Sequence, residues 1–524
     1  MKKVQAQTEP IQETLVSYRL TPGFGVAKIK RRNSSTNECS KSFPGLSSKK
    51  NLQLTRTEMQ TLGYQVIDML VEHFESVPNK PVARKASRAE LKNRLSQPIP
   101  QSGTDPANIL QQLQQDVFSN IAHPDHPRYF AFVPGPSNFV SVMADTLASG
   151  FNTFAGAWLV GSGASEIELL TIDWLRQIFK LPDTAGGIFV SGGSIANLTA
   201  LTTARQVKLN NQIENAIVYF SEQTHSSISR ALKILGFKPE QIRKIPTDDD
   251  FRLSVTHLRQ AVIADRAAGK KPFCVVANAG TTNSGAIDPL SELADFCQHE
   301  ELWLHVDGAY GAAAILSEQG RFLLKGLERV DSLTIDPHKW LFQPYEIGCV
   351  LVRNNSWLKE TFACQAEYLK DVNRQEEEVN FYNYGIQLTR SFRSLKLWMS
   401  LKTFGVEAFR EAISWGIGLA EFIETLLQNL PDWEVITSAQ IGVITFRYAP
   451  VGRSCEYINA INQKIVDDTA TEGFALVNTT ILKDRKVIRM CTINPRTTVQ
   501  DIRETISRLN KLAKSIDKNY SQQK

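Results

Sequence analysis

"GGIFVSGGSIANLTALTTAR", residues 186–205, reads as a strand that stops at a pair of glycines and restarts as a helix. Gly-Gly-Ile-Phe-Val is short and apolar throughout, the pattern of a strand buried on both faces. The same grammar recurs from about residue 125 to 400 in "NAIVYFSE", "FCVVANAG", "LWLHVDG", "DSLTID" and "IGCVLVR", most of which lead into helix-like segments. Strands alternating with helices imply a largely parallel sheet covered by helices, an α/β fold. Upstream, "TEMQTLGYQVIDMLVEHFESV" sets Met59, Leu62, Val66, Met69, Leu70 and Phe74 on one helical face. "SRAELKNRL" and "DPANILQQLQQDVFSNI" predict two more helices, the second capped by Asp105 with Pro106 at its first position. Downstream of "RSLKLWMSLKTFG", "WEVIT", "GVITFRY" and "KVIRMCTIN" predict the strands of a smaller α+β domain. The expected organisation is an arm over 1–52, a helical segment over 53–124, a large domain over 125–400 and a small domain over 401–524.

At 524 residues and 42% hydrophobic, the chain can build more than one core. Its formal charge of +5 is unevenly spread. Ten Lys/Arg against three Glu in residues 1–52 leave the rest slightly acidic, so no nucleic-acid-binding face is expected. The arm, rich in Ser, Asn and Lys, reads as disordered. Seven scattered cysteines without a C-x-x-C pair argue for a reducing, cytoplasmic setting and against a metal centre. No run approaches the roughly 20 apolar residues of a membrane span, and no signal-peptide core follows the start.

In parallel sheets ligands bind beyond the carboxyl ends of the strands, and the chemically unusual residues stand there. The first strand ends in a glycine turn whose helix-start amides, around Gly193, Ser194 and Ile195, suit a phosphate. The others are followed by His225 in "THSSISRA", Thr281 and Thr282 in "NAGTT", Asp307 in "HVDGAYGA", and Lys339 in "TIDPHKW". A lysine there is expected in a pocket that lowers its pKa so that it can form a Schiff base. Pyridoxal phosphate asks for this set: an amine for its aldehyde, a carboxylate for its ring nitrogen, amides and hydroxyls for its phosphate, and a flat group to stack on its ring.

The motifs "HPRYFAFVPGPSN", "GGSIANLTAL", "THSSISRAL", "NAGTTNSGAIDPL", "WLHVDGAYGA", "DPHKW" and "RSFRSLKLW" closely resemble those of the group II pyridoxal-phosphate-dependent amino-acid decarboxylases, over about residues 55–510. The resemblance implies the aspartate-aminotransferase-type fold (fold type I), with a seven-stranded mostly parallel sheet and a small C-terminal domain. It implies an obligate homodimer with active sites at the subunit interface. It further implies that Lys339 binds the cofactor covalently, that Asp307 pairs with its ring nitrogen, and that His225 stacks on its ring. Gly193, Ser194, Ile195, Thr282, Asp336 and His338 would surround its phosphate and ring. Asp336 is a departure, since animal members commonly carry Asn there.

The loop "FACQAEYLKDV" matches the family's mobile loop and makes Tyr368 the proton donor to the substrate's Cα. Relatives that make aldehydes typically replace this tyrosine or the stacking histidine. The chain keeps both, which favours decarboxylation to an amine over aldehyde synthesis. A scaffold without activity would be expected to have lost Lys339, Asp307 or Tyr368. The apolar stretches "YFAFVPGPSNF" and "FNTFAGAW", with Phe154 and Trp158, suggest a Trp-, Tyr- or Phe-like substrate rather than glutamate or a diamino acid. Gly156 is expected to leave room for an indole.

Overall fold

The computed structural model describes residues 52–363 and 377–522. Gln60 onward forms one compact unit, and residues 56–59 open the first helix. Three helices come first: α1 (Arg56–Ser76), α2 (Arg88–Leu95) and α3 (Pro106–Gln112). Ser87 and Glu90 close a capping box on α2, and Asp105 accepts from Ala107 N to cap α3. The single helix expected over 105–121 instead breaks after Gln112 into π and 3₁₀ turns. Two further helices, α4 (Phe139–Gly150) and α5 (Trp158–Ile178), lead into the sheet.

The sheet strands are β1 (Gly186–Val190), β2 (Ala216–Ser221), β3 (Ile242–Ile245), β4 (Lys271–Asn278), β5 (Trp303–Asp307), β6 (Ser332–Ile335) and β7 (Gly348–Val352). Between them lie α6 (Gly193–Leu209), α7 (Ser226–Ile234), α8 (Val255–Ala267), α9 (Leu290–His299) and α10 (Glu318–Leu323); α11 (Ser356–Phe362) follows β7. Their order in the sheet is β1-β7-β6-β5-β4-β2-β3, and only β7 runs antiparallel to its neighbours. The carboxyl ends of the other strands therefore share one edge. Every residue of β1, β2, β5, β6 and β7 is buried, which explains their continuous apolar character. The edge strand β3 (Ile-Arg-Lys-Ile) is only partly buried, and its sequence lacks that signal.

The C-terminal part contains α12 (Ser394–Gln428), β8 (Trp433–Thr437), β9 (Val443–Tyr448), α13 (Cys455–Glu472), β10 (Asn478–Leu482), β11 (Arg485–Cys491) and α14 (Val499–Gln522). Its strands form an antiparallel sheet in the order β10-β11-β9-β8. Helix α12 serves both cores. Phe409, Ile413 and Ile417 pack into the core of the large sheet, and Leu419, Ile423 and Leu427 pack under the small sheet. The helix is kinked at Gly405, and the part after the kink carries all six of these side chains; at roughly 1.5–3 kcal/mol for each, it holds the two sheets together. Among the described residues, no helix is long and apolar enough to cross a membrane.

Candidate active site

A cavity of about 260 Å³ opens at the shared carboxyl edge. Gly193, Ser194, Ile195, His225, Thr281, Thr282, Asp307, Asp336, His338 and Lys339 all line it, contributed by the segments that follow β1, β2, β4, β5 and β6. Five separate strand ends converge because their strands are parallel. Tyr368 lies outside the described residues.

Asp307 ends β5 with its carboxylate buried, and donors hold it in place. Ala309 N donates to Oδ1 (3.1 Å) and Asn197 Nδ2 to Oδ2 (2.9 Å). Asn197 stands one turn after Gly193 on α6, so both face the cavity. Its Nδ2 also donates to Ser227 Oγ (2.9 Å), which leaves its Oδ1 to accept from His305 Nε2 (3.0 Å). His305 Nδ1 then accepts from Ser332 Oγ (2.9 Å), itself an acceptor from Trp303 Nε1 (2.8 Å). Bond polarity thus runs from Trp303 to Asp307 and fixes the His305 tautomer. A branch through Ser227 reaches His225, the N-cap of α7, at Nδ1 (2.9 Å). His225 and Asp307 are therefore positioned by one asparagine that sequence reading did not single out.

Lys339 Nζ lies 2.9 Å from Asp336 Oδ2. Burial works against the ammonium, but the charge and hydrogen bond of Asp336, joined by the charge of Asp307, outweigh it and raise its pKa. This corrects the expected lowering: the cavity holds the lysine protonated, with Asp336 in place to receive its proton. His338 is buried against Ile347 O (Nδ1···O 2.7 Å), and burial holds its pKa down. Asp336 Oδ1 is buried without a hydrogen-bond partner.

At the start of the 17-residue α6, the amides of Gly193 and Ser194 bond to nothing among the described residues, whereas Ile195 N donates to Gly192 O (2.9 Å). Two of the three expected amides are thus free for an anion. A Cβ at Gly193 would stand 2.8 Å from Asp336 Oδ2, and one at Gly348 would stand 2.5 Å from Gly192 Cα. Only glycine permits that approach. Gly156 does not open space: a Cβ there would meet the Phe154 ring at 2.7 Å and Leu388 O at 2.8 Å. The room expected for an indole is filled by Phe154.

Residues 89–449 match the pyridoxal-dependent decarboxylase conserved domain. The chain belongs to the pyridoxal-dependent decarboxylase family. It is 54% identical over 472 residues to the aromatic-L-amino-acid decarboxylase of Bacillus atrophaeus, covering 90% of this chain and 98% of that one. It is 28% identical over 475 residues to phenylacetaldehyde synthase of Petunia hybrida, covering 87% of this chain and 94% of that one. The fold matches Catharanthus roseus tryptophan decarboxylase in complex with L-tryptophan, with a TM-score of 0.83 and 28% identity over 88% of this chain and 99% of that one. The chain is a pyridoxal-phosphate-dependent amino-acid decarboxylase of the expected fold.

The decarboxylase cavity fits its cofactor by its donors: free helix-start amides for a phosphate, a fixed carboxylate for a ring nitrogen, and a single amine. Sequence reading also missed Arg489 on β11. It is wholly buried, donates from Nη1 to Phe132 O, and leaves Nε and Nη2 without hydrogen-bond partners. No ion pair to it forms among the described residues. Burial pushes the neighbouring Cys491 thiol up while Arg489 pulls against it.

The buried imidazoles make stability depend on pH. Burial lowers both His305 and His126 to about 4, so each stays neutral in the fold while the unfolded chain takes up protons below about 6.5. The unfolded state then binds more protons, and stability falls as pH drops from 6.5 towards 4, by up to about 1.4 kcal/mol per pH unit for each group. Asp288, pushed by burial to about 6, offsets part of this, because the fold holds its proton more tightly than the unfolded chain does. Urea unfolding at pH 7 and pH 5 should show the loss, and His126→Gln should reduce it.

Proposed function

We propose that the enzyme decarboxylates an aromatic L-amino acid to its amine, as a cytoplasmic homodimer. The observation that carries the substrate reading is the cavity's charge: among the described residues lining it, Lys339 is the only lysine or arginine. A glutamate side chain would bring a carboxylate to a site whose one cation is already paired with Asp336, a costly burial. The aromatic-L-amino-acid relative supports the same reading. Support for the dimer comes from α1, none of whose residues is buried and whose Tyr64, Val66 and Val71 are exposed.

In this reading Gly193 and Ser194 amides, with Thr282, hold the cofactor phosphate. Lys339 Nζ would hold the cofactor's aldehyde carbon, and Asp307 would pair with its ring nitrogen. Ile195 and His338 shape the site, while His225 covers the ring. Bound there, the cofactor supplies the electron sink that accommodates negative charge at Cα once CO₂ leaves. Tyr368 returns a proton to Cα. Tyr368→Phe should retain cofactor but divert product from amine towards aldehyde and ammonia with oxygen consumption; amine formation at the ordinary rate would remove Tyr368 from that role. To test the substrate, L-tryptophan, L-tyrosine, L-phenylalanine, L-glutamate and 2,4-diaminobutyrate would be offered in turn and CO₂ followed. Release from an aromatic amino acid is expected; release from glutamate alone would contradict the reading.

A further inference from the structure

We infer that Tyr345 is a specificity-determining residue whose ring is the wall against which the substrate's aromatic side chain packs, and that residue 135 is glycine because this phenol rests on it. The inference deepens the aromatic-substrate reading and rests on it. Tyr345 lies in the turn between Lys339 and β7, with its ring centroid 5.0 Å from that of His338 and tilted 52° to it. Its charge environment includes Lys339 and Asp336. Opposite it lies Gly135, in the buried Pro-Gly-Pro turn of "FVPGPSN". A Cβ on Gly135 would stand 2.6 Å from the Tyr345 hydroxyl and 2.7 Å from Cζ, so ring and backbone are in direct contact.

Both sides of this contact are tied down. Asn138 donates from N and Nδ2 to Phe342 O (3.2 and 3.0 Å), which joins the glycine turn to the tyrosine loop. The buried Lys396 donates to Pro344 O (3.4 Å) and Glu346 O (3.2 Å), on either side of Tyr345, and pairs with Asp145 at 3.3 Å. Arg393 pairs with Glu346 at 3.1 Å. Yet Tyr345 itself is 56% exposed. A backbone fixed by a buried lysine thus presents an open aromatic face against His338, which lines the cavity beside Lys339. A flat apolar side chain covering that face gains ring–ring contact as well as burial.

Tyr345→Ala and Gly135→Ala, each in the full-length holoenzyme, test the inference. Gly135 is not among the glycines with positive φ, so alanine adds no backbone strain there and acts through the displaced ring. Tyr345→Ala is expected to raise KM for L-tryptophan and L-phenylalanine about ten-fold, with kcat within about three-fold and cofactor absorbance unchanged. Gly135→Ala should raise KM in the same direction, and adding it to Tyr345→Ala should change nothing further. A KM within two-fold of the parent for Tyr345→Ala, or a Gly135→Ala effect that survives in full in the double variant, overturns the inference. If the parent enzyme releases CO₂ from no aromatic amino acid, the substrate reading fails first, and this inference falls with it.

Discussion

Alanine at position 339 is expected to reduce CO₂ release by a factor on the order of 10⁴ or more, the scale of removing a group that bonds covalently during turnover. No other lysine or arginine lines the cavity among the described residues, so nothing there can replace the amine. The fold should tolerate the change. Its main cost is Asp336, which loses its partner Nζ and already has Oδ1 unpartnered. Alanine should therefore leave a folded protein with unchanged circular dichroism that no longer forms a borohydride-stable link to pyridoxal phosphate. Turnover within ten-fold of the parent would remove Lys339 from its proposed role.

The largest stability effect is expected at Arg390. Its guanidinium is buried and donates to Glu168 Oε1 (2.5 Å), Ala155 O (2.8 Å) and Phe189 O (2.9 Å). Glu168 is wholly buried, accepts also from Phe189 N (3.0 Å), and leaves Oε2 without a partner. This pair joins α5 to β1, the strand that leads into the Gly193 turn. Arg390→Ala would strand a buried carboxylate, at a cost of about 3–5 kcal/mol. Replacing both partners by apolar residues, as in Glu168→Leu with Arg390→Met, should recover much of that, because the desolvated charge leaves with its partner. Urea unfolding at neutral pH measures both. A loss below about 1 kcal/mol for Arg390→Ala would show that Glu168 reaches water or another donor.

The strands of the large sheet were legible because burial on both faces demands continuous apolar runs, as in "AIVYF" and "LWLHV". The same physics hid β3 and β10: Ile242–Ile245 and Asn478–Leu482 are edge strands carrying polar, partly exposed residues. The cavity lining was legible because parallel topology sends each strand end to one edge, so His225, Asp307 and Lys339 could be gathered from position alone. What sequence could not show was the direction of forces between residues distant in the chain. Burial of Lys339 pointed to a lowered pKa, but Asp336 and Asp307 together reverse it. Gly156 read as open space because the position of the Phe154 ring is set by packing. Asn197 carried one available signal, its place one helical turn after the glycine turn. Arg489 carried none, because nothing in "KVIRMC" marks an arginine that will be buried without a counter-ion.

We propose that Lys339, four residues after β6, is the covalent anchor of pyridoxal phosphate. The most direct measurement adds the cofactor to the purified protein, records absorbance between roughly 300 and 500 nm, reduces with borohydride and maps the labelled peptide. A band near roughly 420 nm that disappears on reduction is expected, with the label on Lys339 in "DPHKW". A label on another lysine, or a protein that takes up no cofactor, would contradict it.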